Sequence, residues 1–136
     1  MPTREQTIRG VYRDMFETGD VSKADLIVTA DFVDHAAPPG PAARGPQQLA
    51  AVIGYLHGAL ADIGYTVEDL ISEGDRFAYR STLSATQVGT LFGFPPTGLR
   101  FTMQQLHMVR FDGDRIAEHW ACRDDFGALR QLGHLS

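Results

Sequence analysis

Cysteine is nearly absent from this 136-residue chain. Cys122 is the only one, which excludes an intrachain disulfide and any multi-cysteine zinc site. Lysine is equally scarce. Lys23 stands alone, the other basic residues are arginines spread along the chain, and the formal net charge is -5. Nucleic-acid binding needs a concentrated basic face to displace counterions, and none is present. No apolar run is long enough to span a bilayer, and Met1 to Glu5 lacks the apolar segment of a secretory signal, so the expected location is cytoplasmic. No histidine pair has the short spacing of a metal-binding helix or strand, and no metal is expected.

What is present suits one globular domain over residues 1–136, with 43% hydrophobic and 21% charged residues. Thr3 and Gln6 have capping-box spacing, and Ile8, Val11, Tyr12, Met15 and Phe16 follow at helical intervals as far as Thr18-Gly19-Asp20. Ala24, Leu26, Ile27 and Ala30 suggest a second, short helix ending before Asp31. Phe32 to His35 is a brief extended piece running into a Pro/Gly loop, Ala36 to Pro41, that fixes where His35 points. Gly45-Pro46 opens a third helix with Leu49, Val52, Ile53, Leu56 and Leu60 as its buried stripe.

From Tyr65 the period changes to two. Tyr65 to Ile71 and Arg76 to Leu83 read as strands around the turn Glu73-Gly74-Asp75, and Gly89 to Gly98 is a glycine- and proline-rich crossing that holds Leu91, Phe92 and Phe94. Helices first and antiparallel strands afterward give an α+β domain. Three N-terminal helices packed on a strongly curved antiparallel sheet would enclose a cone-shaped cavity for a small apolar molecule.

The chemistry concentrates between Gln105 and Gly133, a hairpin running into a short helix that closes with Phe126, Leu129 and Leu132. Asp112-Gly113-Asp114 supplies the turn. A loop of two or four residues puts Gln105, His107, Val109 and Phe111 on one face with Ile116, Glu118, Trp120, Cys122 and Asp124, and turns His119 away. A three-residue loop with a bulge would invert that assignment. Either Asp124 or Asp125 suits the cap of the closing helix. Leu106, Met108, Ala117 and His119 would form the outer face, apolar enough to predict burial against a second subunit.

FVDHAA at Phe32 to Ala37, EGDRFAYR at Glu73 to Arg80, GTLFGFPPTG at Gly89 to Gly98, HMVRFDGDRIAEHW at His107 to Trp120 and DDFGALRQLG at Asp124 to Gly133 together resemble the SnoaL-like polyketide cyclases of the nuclear transport factor 2-like (cystatin-like) superfamily. The resemblance implies a cone-shaped α+β barrel, a homodimer or homotetramer, that closes the last ring of an aromatic polyketide ester by intramolecular aldol condensation without metal or cofactor. It also implies that the acid/base is the aspartate four residues after the tryptophan, Asp124. His107 and Gln105 would donate hydrogen bonds to the developing oxyanion, and His35 would orient the acceptor carbonyl. Tyr12, Leu56 and Trp120 would line the cavity. The chain departs from many relatives at Ala85-Thr86-Gln87, where a non-titrating amide stands in place of a histidine. Two other readings share the cone. One is an epoxide hydrolase or isomerase, disfavoured because alternation separates Arg123 from Asp124; the other is a non-catalytic binder of small molecules.

Overall fold

The structure, a computed structural model, describes residues 2–38 and 43–135. Helix α1 (Arg4–Val11) starts at the expected capping box, in which the Thr3 hydroxyl accepts from the Gln6 N–H and the Gln6 side chain accepts from the Thr3 N–H. It does not continue as a regular helix. Residues Tyr12–Phe16 form a π-helical turn, with the Glu17 N–H donating to the Tyr12 carbonyl at 2.9 Å. Such turns insert one residue and occur at functional sites. Here the turn lets Tyr12 and Phe16 stack, ring centroids 5.1 Å apart, on the wall of one cavity.

Helix α2 is shorter than expected, Ala24–Ile27, and strand β1 begins at once as Val28–Asp34. Helix α3 (Pro46–Ala59) buries Leu49, Val52 and Ile53 as its stripe predicts. Strands β2 (Leu60–Glu73), β3 (Arg76–Gln87), β4 (Arg100–Asp112) and β5 (Arg115–Arg123) follow, and helix α4 (Asp125–Gln131) comes after them. The Pro39 to Pro41 part of the expected loop lies outside the described residues.

The five-stranded sheet has the order β1-β5-β4-β3-β2. The expectation of a wholly antiparallel sheet needs one correction, because β1 lies parallel to β5, with Val28 opposite Ile116 and Asp34 opposite His119. Bulges in β2 between Ala61 and Gly64 and between Val67 and Asp69 bend the sheet around the helices. The concave face carries the core. Phe101, Met103, Val109 and Phe111 of β4 and Tyr79, Leu83 and Ala85 of β3 are at most 4% exposed, whereas Leu106 and Met108 of the opposite face are 62% and 39% exposed.

The Gly89 to Gly98 crossing closes one end of this concave face, burying Leu91. Its anchor is a close backbone approach: the Val88 and Gly89 N–H groups both donate to the Ala59 carbonyl, and a Cβ on Gly89 would lie 2.2 Å from the Gly58 carbonyl oxygen. Gly89→Ala is therefore expected to cost about 1–3 kcal/mol, because two backbone segments must move apart. A urea midpoint equal to wild type would refute this.

The Gln87 amide holds the same crossing. Its Nε2 donates to the carbonyls of Gly89 and Phe94 at 3.0 Å each, and its Oε1 pairs with His134 Nε2 at 2.8 Å. The side chain is fully buried and is not among the residues lining the cavity, so the glutamine at this position supports a loop.

Candidate active site

Strands β4 and β5 meet in a two-residue turn, Gly113-Asp114, with Asp112 opposite Arg115 and Gly113 at φ 61. That loop length alone would predict the face assignment made from sequence. One residue later the pairing slips: Phe111 faces Ile116, but Arg110 faces Glu118, leaving Ala117 as a bulge. Everything beyond it changes face. Val109 stands opposite His119, His107 opposite Ala121 and Gln105 opposite Arg123, so His119 and Arg123 point into the cone. Trp120 and Cys122 pair with Met108 and Leu106 on the outer face.

The cavity is narrow and is walled by Tyr12, Phe16, Val52, Leu56, Tyr65, Leu83, Leu91, Phe92, Phe101 and Met103. Its polar groups are Asp34, Gln105, His107, His119, Arg123 and Asp125. An adjoining void shares Tyr12, Phe16, Asp34 and His119. Of the residues expected in the site, His107, Gln105, Tyr12 and Leu56 are brought together here. His35 and Trp120 are not. They stack on each other outside, centroids 4.9 Å apart and 7° from parallel, with His35 also paired to Glu118 at 2.9 Å and the Arg76 guanidinium over the indole.

The two aspartates after β5 divide. The Asp124 side chain caps α4, accepting from the Gly127 N–H at 3.0 Å, and faces solvent. Asp125 lines the cavity, and its Oδ1 is enclosed without a hydrogen-bond partner, 3.9 Å from Arg123 Nε. Arg123 Nη2 donates to the Ala36 carbonyl at 3.1 Å. Alternation does separate Arg123 from Asp124, yet it is the arginine that enters the site.

A continuous chain of hydrogen bonds crosses the floor. Asp34 Oδ1 is 2.7 Å from His119 Nδ1, His119 Nε2 is 2.9 Å from His107 Nδ1, and His107 Nε2 is 2.8 Å from the Ser81 hydroxyl. Burial tends to raise the Asp34 carboxyl, but the hydrogen bond and charge of His119, the Ala36 N–H and Arg123 outweigh it and hold Asp34 below its ordinary value. His107 is pushed down to about 2, first by burial and then by the nearby His119 and Arg123 charges, so it stays neutral. Tyr12 Oη lies 2.5 Å from Tyr79 Oη and 3.4 Å from His107 Nδ1, and burial raises all three site tyrosines, Tyr12, Tyr65 and Tyr79. The Tyr65 hydroxyl donates to Gln105 Oε1, with Ser81 at 3.4 Å, which turns the Gln105 Nε2 hydrogens away from both.

Neutral, buried His107 carries a pH consequence. As pH falls below about 6.5, the unfolded chain takes up a proton that folded His107 refuses, so stability is lost on acidification, by at most about 1.4 kcal/mol per pH unit for one proton. Asp34, also depressed, adds to the loss only below about pH 4. Urea titrations of wild type and His107→Gln at about pH 7 and 5 check this, with a shallower dependence expected for the variant.

Residues 6–132 match the family described as SnoaL-like polyketide cyclase. This chain belongs to that family. The cyclase is 32% identical to aklanonic acid methyl ester cyclase DauD of Streptomyces sp. (strain C5), over 89% of its own length and 78% of the relative's. It is 30% identical to the nogalonic acid methyl ester cyclase of Streptomyces nogalater, over 87% and 89% of the two chains. Among solved structures, TsrD from Streptomyces laurentii superposes with a TM-score of 0.82 at 29% identity, covering 97% of the cyclase and 93% of that chain. The cyclase thus has the nuclear transport factor 2-like cone and is an enzyme of the polyketide cyclase class.

Of the polar groups the sequence reading left out, His119 and Arg123 are hidden by the bulge in β5, whereas Asp34 and Ser81 share the parity of buried Phe32, Tyr79 and Leu83. One signal was available: Ile116-Ala117 sets two apolar residues side by side in an otherwise alternating strand, which is how a bulge reads in sequence. Among the described residues, no group of three or more His, Cys, Asp and Glu is arranged to hold a metal ion.

Proposed function

We propose that this cyclase closes a ring of an aromatic polyketide ester by intramolecular aldol condensation without a cofactor, using a carboxylate at the start of α4 as acid/base. The observation that carries this reading is Asp125 Oδ1, enclosed beside an apolar cavity with no hydrogen bond to occupy its lone pairs. Asp124 is the residue the resemblance favours, but its carboxylate is engaged by the Gly127 N–H, so we assign the role to Asp125. Asp125 takes a proton from a carbon between two carbonyls, and the enolate carbon forms the new C–C bond to the acceptor ketone. The C=O π pair moves to oxygen, which is then protonated, so nothing is consumed. Gln105 Nε2 donates to the developing oxyanion, a contribution of about 3 kcal/mol for a well-placed donor. The relatives are named for methyl esters, which makes a methyl ester the first substrate class to try.

The test is turnover of a panel of aromatic polyketide methyl esters by wild type, Asp125→Asn and Asp124→Asn. Ring closure lost in Asp125→Asn alone supports the assignment; loss in Asp124→Asn alone returns the role to Asp124. Ligand binding with no turnover by wild type would leave a binding protein. Arg123 lies within ion-pair range of Asp125, so simple epoxides belong in the panel as the second reading.

We further propose that the outer face joins two copies of the chain. Leu106, Met108, Trp120 and Cys122 form it; Ala117 is buried in the bulge and His119 faces the cavity, which corrects the membership expected from sequence. Cys122 is expected to react rapidly with a thiol reagent in the dilute folded protein and to slow at concentrations where sedimentation shows the dimer. A monomer at high micromolar concentration removes the proposal.

A further inference from the structure

The proposed aldol closure needs an acid for the new alkoxide as well as a base for the carbon, and the inference here rests on that reading. In the free enzyme, the chain from Ser81 to Asp34 has a self-consistent direction. Asp34 accepts from His119 Nδ1–H, His119 Nε2 accepts from His107 Nδ1–H, and His107 Nε2 accepts from the Ser81 hydroxyl. Every donor meets an acceptor with both histidines neutral and Asp34 ionised. Adding one proton gives a second consistent state: His119, now an imidazolium, donates to both Asp34 and His107, and His107 turns its remaining N–H toward Ser81. In that state the charge sits on His119, because buried His107 resists protonation.

We propose that His119, held by Asp34, is the acid of ring closure, with His107 and Ser81 as positioning residues that fix which of its nitrogens faces the substrate. His119 lines the cavity together with Asp125, so the two walls present an acid and a base to one bound molecule. As the C–C bond forms, the alkoxide takes the Nε2 proton, whose partner atom on His107 is itself on the cavity wall. The His107–His119 bond is the link of the chain that substrate oxygen must replace. The proton gained by Asp125 returns to His119 through solvent, and the cycle closes with no net change in protons. Around His119, the groups that set its charge are Asp34 on β1, His107 on β4, Arg123 farther along β5, Asp125 on α4 and Tyr12 of the π-helical turn. Asp34 is the one that touches it with opposite charge.

The experiment is the pH dependence of kcat and KM for wild type, Asp34→Asn, His119→Gln and Ser81→Ala on a panel ester that wild type turns over. Asp34→Asn replaces the carboxylate that accepts from His119 Nδ1 with an amide, so the pH profile of kcat should change, with kcat reduced about 10- to 100-fold and KM within about threefold. His119→Gln should lose about 100-fold or more in kcat. Ser81→Ala should give a smaller loss in kcat without moving KM. Should His119→Gln fail to fold, Asp34→Asn decides alone, being nearly isosteric. An unchanged pH profile of kcat in Asp34→Asn, with kcat within about twofold of wild type, overturns the inference while leaving ring closure by the α4 carboxylate standing. Absence of turnover by folded wild type is the distinct result that removes the proposed function, and this inference with it.

Discussion

Asp125→Asn is expected to lower kcat for ring closure by about 10²- to 10⁴-fold with a small change in KM, whereas Asp124→Asn should leave kcat near wild type. The substitutions are chemically the same and one residue apart, so a difference between them reports geometry. Asp125 Oδ1 is enclosed at the cavity wall without a hydrogen-bond partner, within ion-pair range of Arg123, so an amide there keeps the shape and loses the base. Asp124 accepts from the Gly127 N–H, and asparagine is also a good cap, so the cost of Asp124→Asn to stability should be well under the ~1 kcal/mol typical of losing a cap outright. Steady-state kinetics on both variants, with urea midpoints alongside, separate the roles. Equal losses of kcat would mean that the helix start, and not one carboxylate, is what the reaction requires.

Phe111→Ala is expected to destabilise the fold by about 3–5 kcal/mol, the usual cost of removing a large buried aromatic and leaving a cavity. Phe111 is 1% exposed, packs edge-on against Phe77 at 5.3 Å, and lies under the Arg4 guanidinium at 5.2 Å. It also forms the last regular pair before the bulge, opposite Ile116. A domain of this size has about 5–15 kcal/mol in total, so the variant should sit close to unfolding. The urea midpoint should drop at constant slope; a shift of less than about 1 kcal/mol would show that the hairpin tip is not part of the cooperative core.

The large elements were legible because each had one dominant period. The capping box at Thr3, the α3 stripe from Leu49 to Leu56 and the start of β3 at Arg76 fall where local patterning puts them, whereas β2 begins at Leu60 and β4 at Arg100, each five residues before the expected Tyr65 and Gln105. Strand β1 was obscured because Val28 to Ala30 also continue the helical spacing begun at Ala24, and what makes them a strand is pairing with β5, a partner almost ninety positions away. The π-helical turn at Tyr12 to Phe16 left no trace in spacing for a similar reason: Ile8, Val11, Tyr12 and Met15 suit either helix. Four of the residues expected together do line one cavity, Gln105 and His107 on β4 with Tyr12 and Leu56. The β5 residues were exchanged for their outer neighbours, since alternation is a parity argument and a single unpaired residue reverses it.

Ala117 therefore acts as a frame marker for the six residues after it. Within this fold, a homologue of the same length that pairs these strands without the bulge would offer Glu118, Trp120 and Cys122 to the cavity in place of His119, Ala121 and Arg123 while keeping every strand and nearly every letter of sequence. Column-by-column transfer of site residues among such chains would then name the wrong side chains, whereas deleting Ala117 itself would restore a regular ladder and leave the same side chains facing the cavity.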